Sequence, residues 1–118
     1  MTVAELADRA CPACHEGSPR ISGEALRVAV EELGGGWRAL RDHHLEKRFP
    51  FSDFAGALAF VNRVGALAED VNHHPDILLR WGEARISVWS HVIDGISETD
   101  VVFAAKCERL FQESKTGS

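Results

Sequence analysis

The hydrophobic pattern is clearest in the middle of the chain, where apolar side chains recur at intervals of three and four residues. This helical period, preceded by the capping candidates Ser52 and Asp53, predicts an amphipathic helix that ends near Asn72 or His73. Pro75 limits the helix, because a proline disfavours helical geometry at the residue before it. The two histidines in front of this proline are therefore expected to diverge.

Weaker stripes of the same period predict two further helices. One begins after Ser22 and stops at the glycines of residues 34–36, and the other begins after Ser97 and continues to about Gln112. Asp100 stands three residues after Ser97, which is the spacing of a capping box.

Alternating apolar and polar positions between these helices predict four strands. Residues 37–51 form two strands around the polar turn of residues 41–43, and residues 77–81 and 84–90 form a second pair around Gly82. In the last strand one face carries Ile86 and Val88, and the other carries Arg85, Ser87 and Trp89.

The predicted fold class is α+β, with a four-stranded antiparallel sheet, three helices packed on one face, and the order α-ββ-α-ββ-α. The connections within each strand pair are too short for parallel crossovers. The two open edges of such a sheet favour pairing between subunits, so we expect a homo-oligomer.

The composition limits the class of protein. The chain has 118 residues, 45% hydrophobic and 26% charged, which is typical of one soluble domain. A formal net charge of -5 argues against a nucleic-acid partner, and the short basic group Lys47-Arg48 is interpreted as a solvated face. Because no apolar run would span a bilayer or direct export, we expect no membrane association and a cytoplasmic location.

Residues 1–20 form an N-terminal arm, ahead of the main domain at 21–113 and a frayed tail at 114–118. The arm contains Cys11, Cys14 and His15 in the C-x-x-C-H arrangement of haem attachment, which would require export. A zinc site would need a fourth ligand, and a redox site would need a strand-to-helix setting. The arm is therefore interpreted as structural or weakly metal-binding, and Cys107 as a small buried hydrophobic residue.

Acid-base chemistry is indicated by His73, His74 and His91, since imidazoles exchange protons near neutral pH. Glu69 lies one helical turn before His73 and is expected to accept a hydrogen bond from it. A histidine in the last helical turn also favours the negative end of the helix dipole, which is the plain structural alternative. A zinc site built from the three histidines is disfavoured, because adjacent histidines rarely present both rings to one ion.

The second histidine pair is interpreted as ordinary turn residues, whereas the tryptophans are open to two interpretations. His43 and His44 fall in or beside a hairpin turn, where polar residues need no functional reason. Trp37, Trp81 and Trp89 could form an aromatic wall for a flat heterocycle, or could be ordinary core and interface residues.

One spacing pattern resembles the signature of the pterin-4a-carbinolamine dehydratases. Glu69 is followed by His73-His74-Pro75, Trp81, His91 and Asp100, at intervals that match together. The likeness covers about residues 22–112 and includes Gly36-Trp37 and Phe51-Ser52-Asp53-Phe54. The chain departs mildly from the pattern, because Ser90 stands where the family often has Thr, and Trp81 where Tyr is frequent.

The resemblance implies dehydration of a 4a-hydroxytetrahydropterin to the quinonoid dihydropterin, with no metal or organic cofactor. His73, His74 and His91 would be the catalytic residues, His73 and His91 as the acid-base pair and His74 binding the pterin. The residues that orient the site or bind substrate would be Glu69, Pro75, Trp81, Ser90 and Asp100. The family forms dimers with joined sheets and tetramers, and some members act through protein contacts, in transcription-factor dimerisation or rubisco assembly.

Overall fold

The structure is a computed structural model that describes residues 2–11 and 18–116. Its elements are α1 (Val3–Ala7), α2 (Gly23–Leu33), β1 (Arg38–Leu40), β2 (His44–Pro50), α3 (Phe54–Val71), β3 (Asp76–Arg80), β4 (Glu83–Val88), a 3-10 turn (His91–Ile93) and α4 (Glu98–Thr116). The predicted order α-ββ-α-ββ-α is confirmed, and α1 is an additional short helix before it.

The four strands form one antiparallel sheet in the order β1-β2-β4-β3. In the central pair, Leu45 lies opposite Val88 and Phe49 lies opposite Ala84. These side chains are fully buried, as is Ile86, whereas Ser87 is only half-buried. The alternation predicted for the last strand is therefore confirmed.

The helices cover the apolar face of the sheet. Helix α3 packs against β3 and β4, α4 packs against β2 and β4, and α2 packs against β1 and α4. The core between these layers is built around three fully buried rings, those of Phe49, Phe60 and Phe103. The fold class predicted from the sequence is thus the observed one.

Helix α3 begins and ends where its sequence predicts. The Asp53 carboxylate accepts a hydrogen bond from the Gly56 amide at 2.8 Å. At the other end Asn72 adopts a left-handed conformation with φ 53°, and the His73 amide donates to the Ala68 carbonyl at 3.1 Å. A left-handed residue turns the chain sharply, so the residues after Asn72 leave the helix axis.

Helix α4 is longer than predicted, since it continues past Gln112 to Thr116. Two side-chain contacts lie in this additional part of the helix. The Ser114 hydroxyl donates to the Phe111 carbonyl at 2.6 Å, and the Lys115 ammonium lies 4.5 Å from the centre of the Phe111 ring.

The N-terminal arm is partly integrated into the domain. Leu6 and Ala7 of α1 are buried in the core, and the Lys106 ammonium of α4 donates to the Ala7 carbonyl at 2.8 Å. Cys11 is half-buried. The candidate ligands Cys14 and His15 lie outside the described residues.

Candidate active site

The centre of the candidate site is a histidine-carboxylate pair. The left-handed turn at Asn72 directs His73 towards the start of α4, where its Nε2 lies 2.6 Å from Oδ1 of Asp100. The His73 side chain is 12% exposed and that of Asp100 is 0% exposed. The imidazole also packs edge-on against Phe103. The His73 ring is therefore held in place by the Asp100 carboxylate and the Phe103 ring.

The second carboxylate oxygen of Asp100 accepts hydrogen bonds from two buried serines. Oδ2 accepts from the Ser90 hydroxyl at 2.7 Å and from the Ser97 amide at 2.8 Å, with the Ser97 hydroxyl at 3.2 Å. The two hydroxyls lie 2.8 Å from each other. The bond from the Ser97 amide is one half of the capping box predicted at the start of α4, and the same carboxylate also contacts His73.

This network determines which nitrogen of His73 is available for chemistry. A carboxylate accepts hydrogen bonds, so the Nε2 nitrogen of His73 carries the proton that points at Asp100. The other nitrogen, Nδ1, is then the one that can take up or release a proton. A buried carboxylate that fixes an imidazole tautomer in this way is a recurrent arrangement in acid-base sites.

The predicted hydrogen bond between Glu69 and His73 is wrong. Glu69 instead pairs with His74, whose Nε2 lies 2.5 Å from the carboxylate. The left-handed Asn72 takes His73 out of the helical register that the prediction assumed, and His74 returns to the exposed side of α3. The expected divergence of the two histidines is confirmed, since His73 is nearly buried and His74 is 53% exposed.

His91 lies just beyond the sheet, and not at a strand end as predicted. Strand β4 stops at Val88, and Ser90 then forms an isolated bridge with Gly95 that encloses the 3-10 turn. His91 begins this turn, is exposed, and its ring centre lies 4.7 Å from that of Trp89. Because the adjacent Ser90 bonds Asp100, one carboxylate connects His73 with the loop that carries His91.

His43 and His44 were interpreted from the sequence as ordinary turn residues, but both contact this region. Their ring centres lie 5.3 and 5.8 Å from that of Trp89. His43 Nε2 also lies 2.7 Å from Oδ1 of Asp94, at the end of the 3-10 turn. The sequence contains no local signal for these contacts, which arise only when β2 pairs with β4.

The electrostatics of this second group differ from residue to residue. Partial burial is the main cause that lowers the pKa of His44. The neighbouring His43 lowers this pKa further, whereas Glu46 raises it. The hydrogen bond from His43 lowers the pKa of Asp94 below its usual value. His44 therefore favours the neutral imidazole, and Asp94 favours the carboxylate.

Trp81 is not brought to the histidines within one protomer. It lies 70% exposed in the turn between β3 and β4. The five-residue strand β3 separates it from Pro75, a distance of about 20 Å at about 3.3 Å per residue. Its contact with the same substrate stays a prediction.

Pro75 borders a cleft of about 560 Å³ on the sheet face opposite the helices. The cleft is lined by Glu46, Asp76, Ile77, Leu78, Arg85 and Ser87. Its volume is in the range of small-molecule sites. Glu46 also lies 3.8 Å from His44 Nε2, so the cleft adjoins the second histidine group.

Within residues 2–11 and 18–116, no cluster of His, Cys, Asp or Glu has the geometry to hold a metal ion. Among the same residues, none of the helices combines the length and hydropathy that crossing a membrane requires.

Comparison with known sequences gives one consistent family. A family model described as Pterin 4 alpha carbinolamine dehydratase matches residues 19–110. A protein of Rubrobacter xylanophilus named "Putative pterin-4-alpha-carbinolamine dehydratase" is 50% identical over 92% of this chain and 100% of its own length. A protein of the same name from Alkaliphilus metalliredigens is 43% identical over 92% of this chain and 97% of its own.

Two solved structures share the fold. A transcriptional coactivator/pterin dehydratase from Brucella melitensis superposes with a TM-score of 0.73 at 24% identity, over 78% of this chain and 98% of that one. A pterin dehydratase-like protein, described as a RuBisCO assembly factor in the alpha-carboxysome, has a TM-score of 0.57 at 28% identity, over 66% and 92%.

Proposed function

This chain belongs to the pterin-4a-carbinolamine dehydratase family, and on that premise we propose that it is a 4a-hydroxytetrahydrobiopterin dehydratase. The proposed reaction removes water from the 4a-carbinolamine of a tetrahydropterin and gives the quinonoid dihydropterin. The observation that carries the proposal is the Asp100 carboxylate, which bonds His73 and also fastens the loop that presents His91. The predicted cytoplasmic location is part of the same proposal.

The chemistry needs one proton donor and one proton acceptor. The bond from carbon 4a to the hydroxyl oxygen breaks with its electron pair going to oxygen, and an acid supplies the proton that completes water. A base removes the proton of a ring nitrogen, whose electron pair forms the new carbon-nitrogen double bond. Nothing is oxidised or reduced, so two oriented imidazoles are sufficient for the proton transfers.

The proposed roles follow the surroundings of each imidazole. His73, with Nε2 fixed by Asp100, exchanges protons through Nδ1. His91, on the loop attached through Ser90, is the second acid-base group. His74 is exposed and paired with Glu69, and in this proposal it binds and positions the pterin.

The test is a dehydration assay on a 4a-hydroxytetrahydropterin generated in place, with His73→Ala and His91→Ala beside the wild type. Each variant is expected to lose at least about 100-fold in kcat/KM, the usual contribution of a positioned acid or base. Glu24→Gln is the matched control, because it removes an exposed ion pair with Arg27 on α2. A wild-type protein that is no faster than buffer would refute the proposal.

A second candidate function is a protein-binding or assembly module. It is favoured by the likeness to the pterin dehydratase-like protein described as a RuBisCO assembly factor. Recovery of a stoichiometric partner by tagged protein, unchanged in His73→Ala and His91→Ala, together with an inactive wild type, would favour this function over the dehydratase.

We also propose that the chain forms a homo-oligomer through β3, which lies at one end of the sheet. If two copies pair antiparallel about Leu78, each Asp76 lies opposite the partner copy's residue 80, an arginine. Asp76 and Arg80 are exposed, and Leu78 is 40% exposed. Helix α3 offers a second apolar surface, with Phe54 43% and Leu58 39% exposed, for assembly of dimers into tetramers.

A further inference from the structure

The hairpin turn between β1 and β2 has an unfavourable backbone. Arg41 and Asp42 have φ angles of 55° and 52°, and the His43 amide donates to the Leu40 carbonyl at 2.9 Å. Turns whose two central residues are both left-handed normally carry Asn, Asp or Gly there, so Asp42 is tolerated and Arg41 is the strained residue. Such strain persists only where the surrounding contacts fix it, and here those contacts are made by the residues after the turn.

A side-chain bond joins this turn to the loop of His91. His43 Nε2 donates to Oδ1 of Asp94 across 2.7 Å, although the two residues are 51 positions apart in the sequence. Asp94 closes the 3-10 turn that His91 opens, and it is itself left-handed with φ 49°. The bond therefore links two turns that each contain left-handed non-glycine residues.

Trp89 lies between this bond and His91. Its ring centre is 5.3 Å from that of His43 and 4.7 Å from that of His91. His44 supports the assembly, with its Nδ1 3.1 Å from Nδ1 of His43. Since two facing ring nitrogens can form a hydrogen bond only if one carries a proton, the pair also restricts the tautomers of both rings.

We propose that His43 is a positioning residue for His91: its bond to Asp94 fixes the 3-10 turn, and its ring fixes Trp89, against which the His91 ring is oriented. This inference rests on the proposed function, because His91 is one of its two acid-base groups. A misplacement of about 1 Å at a reacting group can reduce a rate about 100-fold, so an orienting contact of this kind affects catalysis directly.

Several charges act on the bond between His43 and Asp94. Arg20 adds a positive charge that acts on Asp94. Arg41, Glu46 and Asp76 act on the adjoining His44. Because substitutions of Asp94 also remove its negative charge, each variant is compared with the wild type at several pH values.

Two variants break the bond in different ways. His43→Phe keeps a ring against Trp89 but removes the Nε2 donor. Asp94→Gly removes the acceptor and tolerates the left-handed backbone. Asp94→Asn is the conservative rescue, since its amide oxygen still accepts from His43 and Asn adopts this conformation readily. Glu24→Gln is again the control, because Glu24 is exposed and its ion pair is with Arg27 on α2.

The first readout is the NMR signal of the His91 ring, which the nearby Trp89 ring current displaces. We expect this displacement to shrink in His43→Phe and Asp94→Gly, and to persist in Asp94→Asn and in Glu24→Gln. Circular dichroism checks that each variant is folded. Unchanged His91 signals in both folded bond-breaking variants would overturn the inference.

The second readout is the dehydration assay. We expect kcat to fall about 10-fold or more in the bond-breaking variants, with KM nearly unchanged and a displaced pH profile. A His91 signal that moves while kcat and its pH profile stay the same would also overturn the positioning role. An inactive wild type would defeat the proposed function alone, because the NMR readout needs no turnover.

Discussion

Replacing Asp100 by Asn tests the central pair with almost no change in shape. The amide keeps one acceptor oxygen, which can remain at the Oδ2 position and receive the Ser90 and Ser97 donors. Its NH2 group then faces Nε2 of His73, which must become an acceptor. The imidazole proton moves to Nδ1, the nitrogen that the proposed mechanism uses for proton exchange.

The expected magnitudes separate catalysis from stability. A wrong tautomer in a histidine-carboxylate pair costs about 10²- to 10⁴-fold in kcat. Weakening charge-assisted hydrogen bonds to neutral ones costs about 1–2 kcal/mol in the free energy of unfolding. Asp100→Ala is the contrasting variant. Because it removes the carboxylate that accepts from the buried Ser97 amide and from Nε2 of His73, at about 1–3 kcal/mol for each bond, it should lose about 2–6 kcal/mol in the free energy of unfolding.

Three measurements check this prediction: kcat and KM of dehydration, urea unfolding, and the nitrogen NMR shifts of the His73 ring. In Asp100→Asn we expect a folded protein, a large fall in kcat, and a proton on Nδ1 of His73. A folded Asp100→Asn variant with kcat within about 3-fold of the wild type would refute the mechanism, since a wrong tautomer costs far more. A His73 proton that stays on Nε2 would refute the structural reasoning.

Three further predictions concern assembly and stability. Asp76→Arg or Arg80→Asp alone should weaken the dimer, because each places like charges opposite each other across the interface. The combined swap should restore the dimer, as measured by light scattering. A combined variant that dimerises as weakly as the single variants would exclude this register. Burial lowers the pKa of His44 from its ordinary 6.5, so the unfolded chain binds that proton more tightly than the folded chain does. The free energy of unfolding should therefore fall as the pH drops below 6.5. His44→Asn should reduce this slope in urea titrations between about pH 7.5 and 5.5, and an unchanged slope would contradict the assignment. Lys47→Met should cost about 3–5 kcal/mol because it leaves the buried Glu108 charge without its partner. The added change Glu108→Leu should recover most of that loss in the same unfolding assay, and no recovery would contradict the buried pairing.

Local patterns in the sequence were sufficient for most of the fold. The period of α3 and its Asp53 cap predicted that helix, and alternation predicted the buried face of β4. Patterns failed where a distant partner decides the outcome. Lys47 was interpreted as part of a solvated face, yet it is 8% exposed, because Glu108 compensates its charge inside the core.

The candidate site was predictable only in part, for a geometric reason. His73, His74 and His91 could be selected from residue type and spacing, but helical register assigned Glu69 to His73. One left-handed residue, Asn72, changed that pairing to His74. Helical register predicts the direction of side chains only within the helix. Beyond the helix, their direction depends on the backbone conformation of the residue that terminates it.

The strand order explains why the contacts of His43 and His44 could not be predicted. A sheet in the sequential order β1-β2-β3-β4 would bury the same alternating side chains, so the apolar pattern is compatible with both orders. Only the observed order places β4 beside β2, with Leu45 opposite Val88. In that register His44, which precedes Leu45, lies beside Trp89, which follows Val88. The order of the strands thus determines which imidazoles surround the His91 loop.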